Sequence, residues 1–164
     1  MVLELFPNEI LEVISPIVLS MLPIAELRGG IPLAMALGWH PAAAIIVNFL
    51  ANILIIFPVW FFLDYIHVHL LKVKIYKKFS NKILGRMRHK AAHLKKRMEV
   101  YEWIALTLFV AVPLPVTGAY TGSIVAWILG LDRKKSFIFI TLGVFIAAVI
   151  ITLATLGVIN FFNI

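Results

Sequence analysis

Residues 23–32 read Pro23-Ile24-Ala25-Glu26-Leu27-Arg28-Gly29-Gly30-Ile31-Pro32, a polar run rich in helix breakers. On either side lie two short apolar segments, Glu9 to Leu22 and Leu33 to Leu37. Neither approaches the ~20 apolar residues that a helix needs to cross a ~30 Å hydrocarbon layer. Gly38-Trp39-His40-Pro41 then makes a turn, and Ala42 to Leu63 is long enough to span. The order is short segment, breaker run, short return, turn, long segment.

The second half repeats this order. Val100 to Val112 is short, and Pro113-Leu-Pro-Val-Thr-Gly-Ala-Tyr-Thr-Gly122 is again rich in breakers, with hydroxyls in place of charges. Ser123 to Leu129 returns, Gly130 to Lys135 turns, and Ser136 to Phe162 is long enough to span. An offset of 92 residues lays Pro23 on Pro115, Gly30 on Gly122, Ala34 on Ala126, Leu37 on Leu129 and Gly38 on Gly130. Five matches in sixteen positions are few. The recurrence of the same pieces in the same order gives them weight.

Composition agrees with a membrane chain. Of the 164 residues 62% are hydrophobic and 14% charged, against roughly 25% charged in soluble proteins. Gly29–Leu63, Trp103–Leu131 and everything after Lys135 carry no Asp, Glu, Lys or Arg. A soluble fold would have to bury all three stretches on every face. The acidic start, MVLELFPNEI, lacks the basic region of a cleavable signal peptide. With no cysteine in the chain, disulfides and thiolate metal sites are excluded.

Eleven of the fifteen Lys and Arg residues fall between His67 and Met98. There Tyr76, Phe79, Ile83, Met87, Ala91, Leu94 and Met98 recur at steps of three and four, one apolar stripe of a helix. Such a helix fits the membrane interface, its cations toward anionic lipid headgroups; the alternative is a helix packed on the protein itself. The net charge of +7 is therefore read as a lipid-facing surface and not as a nucleic-acid site. The expected architecture is an all-α integral membrane domain over the whole chain. Repeat one covers 9–64, a basic amphipathic interfacial helix 67–98, and repeat two 100–162. If both breaker runs are tips of re-entrant helical hairpins, the halves form an inverted repeat. The basic helix and Arg133-Lys134-Lys135 then face the cytoplasm, and both termini lie outside, in a multi-pass protein of the plasma membrane. A plain count of full spans is the alternative.

Arg28 is the one cation outside the basic clusters, and Glu26 is its near neighbour. Ionised groups at membrane depth are expensive and face a partner or a cavity. The adjacent prolines and Gly29-Gly30 are expected to free backbone groups, which survive only inside protein or beside water. The functional reading makes Arg28 the holder of an anionic group and Glu26 a proton acceptor. The structural alternative is a pair that caps the hairpin. In the second run Pro113, Pro115, Thr117, Gly118, Tyr120 and Thr121 supply hydroxyls and backbone access, or equally cap freed backbone. Asn48 and Asn52 share a helix face and are expected either to face the hairpin tip or to hydrogen-bond between helices. Asp64 is expected to mark a helix end. The histidines are poorly placed for metal, and no catalytic or phosphate-loop motif stands at usable spacing, so neither an enzyme, a cofactor nor a metal site is expected.

Glu26-Leu-Arg-Gly-Gly-Ile-Pro32 and Pro113-Leu-Pro-Val-Thr-Gly-Ala-Tyr-Thr-Gly122 together resemble the paired signatures of the small multidrug export proteins, a likeness covering nearly the whole chain. It implies two re-entrant hairpins and a transport role with proton coupling. A more distant resemblance links that family to the DedA membrane proteins, whose relatives include lipid scramblases. In DedA proteins arginines surround a proline of the second motif, whereas Pro113 and Pro115 have no arginine beside them. Glu26 matches the acidic residue of the first.

Three functions remain open from the sequence. The first is proton-driven export of a small or amphipathic solute. The second is translocation or scrambling of a phosphate-bearing lipid carrier held by Arg28. The third is a non-transport membrane protein whose basic helix recruits a partner. With only two full spans in the chain, a homodimer is expected.

Overall fold

The computed structural model describes residues 9–70, 72, 98–114 and 117–162. Pro115 and all but the ends of the basic segment 67–98 lie outside them. The seven described elements are all helices: α1 Ile10–Met21, α2 Glu26–Ala36, α3 Pro41–Leu54, α4 Ile56–Leu70, α5 Met98–Ala111, α6 Ala119–Leu129 and α7 Arg133–Phe162. Two stretches are long and apolar enough to cross a membrane, Pro41–Ile66 and Arg133–Phe161.

Local chemistry explains the helix ends. Pro41 at the first turn and His40 Nδ1, which accepts from the Ala42 amide at 3.3 Å, start α3. Pro58 has no N–H for the Leu54 carbonyl and its ring crowds that carbonyl, so α3 gives way to α4 at Ile55. Pro16 frees the Glu12 carbonyl inside α1 in the same way. The Trp39 indole N–H, 3.1 Å away, takes up that carbonyl. Asp132 Oδ1 caps the start of α7 by accepting from the Lys135 amide at 2.9 Å.

α1 packs along α2, α5 along α7, and α7 also touches α2, α3 and α6. On α7 one face is core: Ile140, Val144, Ala147, Ala148 and Ile151 are buried. The other face exposes Leu142, Phe145, Val149 and Leu153. Leu50, Leu54, Phe57, Phe61 and Phe62 extend that apolar surface onto α3 and α4. Water would disfavour so broad an apolar belt, and a lipid acyl layer does not.

Two glycine pairs matched by the 92-residue offset stand in similar local settings. Gly38 and Gly130 both take positive φ just past a short helix. The amides that follow them close back similarly, Trp39 N on Ala34 O and Leu131 N on Ala126 O. Gly30 and Gly122 both mark a close helix approach. A Cβ on Gly30 would meet Ser20 Oγ, Asn48 Oδ1 and the Pro16 carbonyl; one on Gly122 would meet Val110 and Ile140.

The first breaker run differs from the sequence reading in one respect. It is unwound only between α1 and α2, and α2 runs unbroken through Gly29, Gly30 and Pro32. The backbone groups expected to be free at Gly29-Gly30 therefore lie inside a helix. Glycine disfavours a helix by about 1 kcal/mol each, and packing offsets that cost. Without side chains these residues let α2 lie against α1, where Gly30 is buried. In the second run the described residues 112–114 and 117–118, which precede α6, lie outside any helix.

Candidate functional site

The C-terminal end of α1, the first turn of α2, the 112–118 turn and the first turn of α6 converge. Three hydrogen bonds join them across 86 to 99 residues of sequence. The Tyr120 backbone amide donates to Glu26 Oε1 at 3.3 Å. Arg28 Nη1 donates to the Leu114 carbonyl at 2.5 Å, and its Nη2 to the Ile24 carbonyl at 3.1 Å. The Tyr120 hydroxyl donates to the Met21 carbonyl at 2.5 Å.

Glu26 is the centre of this arrangement. It is 6% exposed and holds φ +47°, the one non-glycine residue in the left-handed region among those described. That conformation costs on the order of 1–3 kcal/mol and persists only where surroundings enforce it. It directs the carboxylate to the start of α6, where the first amides lack helical partners and carry partial positive charge. Gly118 makes the approach possible. A Cβ there would fall on the carboxylate, and its φ of +152° belongs to glycine. Glu26 is thus the cap of a helix that begins 93 residues further on. Among the described residues the one ion pair is Arg133 with Asp64; Glu26 and Arg28 make no direct ion pair, and each hydrogen-bonds backbone of the opposite run.

The remaining expected residues divide. Pro113, Thr117 and Gly118 line a cavity with Glu26, Arg28 and Asn52. Its volume is about 10 Å³, room for one water molecule. Thr117 Oγ1 accepts from the Leu114 amide at 3.1 Å and faces the Val112 and Leu114 carbonyls at 2.6 and 2.9 Å, so it closes the turn. The Thr121 hydroxyl lies a long 3.4 Å from the Gly118 carbonyl. Asn48 and Asn52 tie α3 to α1. Asn48 Oδ1 accepts from Ser20 Oγ at 2.7 Å, its Nδ2 donates to Ala44 O, and Asn52 Nδ2 donates to Ser20 O at 2.9 Å. Asn48 takes no part in the cavity, and of the two only Asn52 lines it. Gly29 and Gly30 serve helix packing. Pro115 lies outside the described residues.

Sequence reasoning missed Ser20, one of two hydroxyls, with Ser15, in the apolar segment Glu9–Leu22. It also missed the Met21, Ile24 and Leu114 carbonyls, which leave no mark in a sequence. Beyond the small cavity, and sharing Arg28, Pro113 and Ile151 with it, runs a groove of about 460 Å³. Pro32, Ile150, Ala154 and Val158 give it apolar walls. One acid, one guanidinium and a water-sized space therefore sit at the end of an apolar groove. Among the described residues no three His, Asp or Glu side chains gather to hold a metal ion.

A family model described as "Putative small multi-drug export protein" matches residues 26–150, a stretch that begins at Glu26 and contains the Glu26–Pro32 part of the first breaker run and the whole of the second. No curated protein and no solved structure matched the chain.

Proposed function

We propose, from the premise that this chain belongs to the small multi-drug export protein family, that it exports a small or amphipathic solute in exchange for protons. The observation that carries this reading is Glu26, a buried carboxylate held by the amides of α6 beside a water-sized space. A proton arriving through a water molecule in that space removes the charge that the α6 terminus holds. The link between the α1–α2 hairpin and α6 loosens, and the two halves can shift. The solute occupies the groove at Arg28, where the Ile24 and Leu114 carbonyls fix the guanidinium without neutralising it.

The same reading takes each half as a re-entrant hairpin followed by a spanning helix, with the halves inverted. The equivalent places of Gly30 and Gly122, and of Gly38 and Gly130, support it. It puts the basic segment in the cytoplasm and the termini outside, in a plasma-membrane homodimer. Single cysteines introduced at Asn8 and Ser80 of this cysteine-free chain test the orientation. Asn8→Cys should react with an impermeant thiol reagent on intact cells and Ser80→Cys should not; the reverse pattern inverts the topology.

A second reading is favoured by the groove itself. Its walls are apolar and Arg28 stands at its inner end, which suits a lipid whose phosphate meets the guanidinium. Purified protein in liposomes decides between the two. A pH gradient should drive efflux of amphipathic test solutes, and collapsing the gradient should stop it. Exchange of labelled phospholipid between leaflets, indifferent to pH, would select the lipid reading instead. Neither movement in folded protein would end both.

A further inference from the structure

Along α7, the residues that line internal spaces recur at helical steps: Ser136, Val144, Ala147, Ile151, Ala154 and Val158. They share one face. Ser136 to Val158 spans about 33 Å at 1.5 Å per residue, close to the ~30 Å hydrocarbon thickness. The groove and the one-water cavity adjoin at the Val158 end of this face. A separate cavity of about 210 Å³ lies at the Ser136 end, walled by Trp60, Ala126, Trp127, Leu131 and Arg133. Between them Ile140, fully buried, faces Gly122 and closes the face.

Two features of the Ser136 cavity are not explained by packing. The Ser136 hydroxyl is 1% exposed and has no hydrogen-bond partner. Such a group costs free energy unless something enters to bond it. The second feature is the Asp64 hub. Asp64 accepts from Arg133 Nη2 at 2.6 Å and from the Trp127 indole at 2.8 Å, which ties α4, α6 and the start of α7 together. The Arg133 guanidinium also stands 5.9 Å from the Trp60 ring.

We propose that this cavity is the opposite mouth of the pathway and a second site for the amphipathic solute, with the Asp64–Arg133 pair as its gate. The proposal rests on the transport reading above. The two tryptophans supply apolar walls, and Ser136 Oγ supplies one hydrogen bond to the solute's polar group. The pair is roughly half exposed, 56% for the Arg133 side chain and 43% for Asp64, so solvent screens it and it opens readily. Ile140 stays closed beneath it. The mouth therefore opens without a continuous channel forming, as alternating access requires.

Labelling tests this without any solute. Ser136→Cys, in purified protein in liposomes, should react slowly with a small thiol reagent. Adding Asp64→Asn or Arg133→Gln should raise the rate about fivefold, the factor expected from losing an exposed pair. Asp64→Asn keeps an acceptor for Trp127. Combining both changes should raise the rate no further, because either alone opens the same gate. Thr155→Cys, in the groove, should be indifferent to both. Unchanged rates at Ser136→Cys, effects that multiply, or an equal rise at Thr155→Cys would overturn the proposal. The outcome is independent of whether protons drive transport, so a gate that opens in a protein that moves no solute would sink the functional reading, and the solute site with it, and leave the gate itself standing.

Discussion

Replacing Glu26 by glutamine should abolish proton-driven transport and leave the protein folded. The amide keeps the size of the carboxyl, and its oxygen can still accept from the Tyr120 amide. What is lost is the negative charge at the α6 terminus, worth about 0.3–1 kcal/mol, together with the ability to exchange a proton. Stability should fall by no more than a few degrees of melting temperature. Liposome efflux driven by a pH gradient should drop to the level of empty vesicles at every pH. The two outcomes separate the proposed roles of Glu26. A variant that transports normally across the pH series ends the proton-site reading. A variant that no longer folds in detergent makes Glu26 a structural cap and nothing more.

Gly118→Ala should both destabilise the protein and abolish transport. Its Cβ would occupy the place of the Glu26 carboxylate, and φ +152° is strained for any residue with a side chain. Either the 112–118 turn rearranges or Glu26 withdraws from α6. The first route costs on the order of 1–3 kcal/mol of strain. The second abandons hydrogen bonds to a charged group, about 1.5–3 kcal/mol. We expect destabilisation of roughly 1–3 kcal/mol by whichever route is cheaper, with transport lost as well. Glu26→Asp shortens the acid by one methylene and should recover part of the stability when combined with Gly118→Ala. That coupling, measured as a double-mutant cycle on thermal unfolding, is specific to the Glu26–Gly118 contact. Additive effects, or a Gly118→Ala protein as stable and active as the native one, would remove Gly118 from the site.

The class of the protein was legible in the sequence because hydropathy is a sum over neighbours. Three long charge-free stretches are a property of contiguous residues, and lipid is the environment that tolerates them. The long segments 42–63 and 136–162 correspond to the two helices able to span, and Glu9–Leu22 to the short α1. The breaker runs were visible for the same reason, since proline and glycine act on their own backbone. They singled out Glu26 and Arg28, and both stand at the convergence of the two halves.

What those residues bind was decided by tertiary structure. Glu26 and Arg28 are two apart and invite pairing, yet the fold turns one to the Tyr120 amide and the other to the Leu114 carbonyl. Backbone groups bear no sequence label, so these partners became identifiable only when packing brought the runs together. Gly29 and Gly30 read as a break and became helix, because contact with α1 outweighs an intrinsic preference of about 1 kcal/mol per glycine. Asp64 read as a helix end and became a hub for Trp127 and Arg133, 63 and 69 residues away. In each case the sequence determined the cost of leaving a group without a partner in an apolar setting. Which group met that need depended on helix crossings that no local window contains.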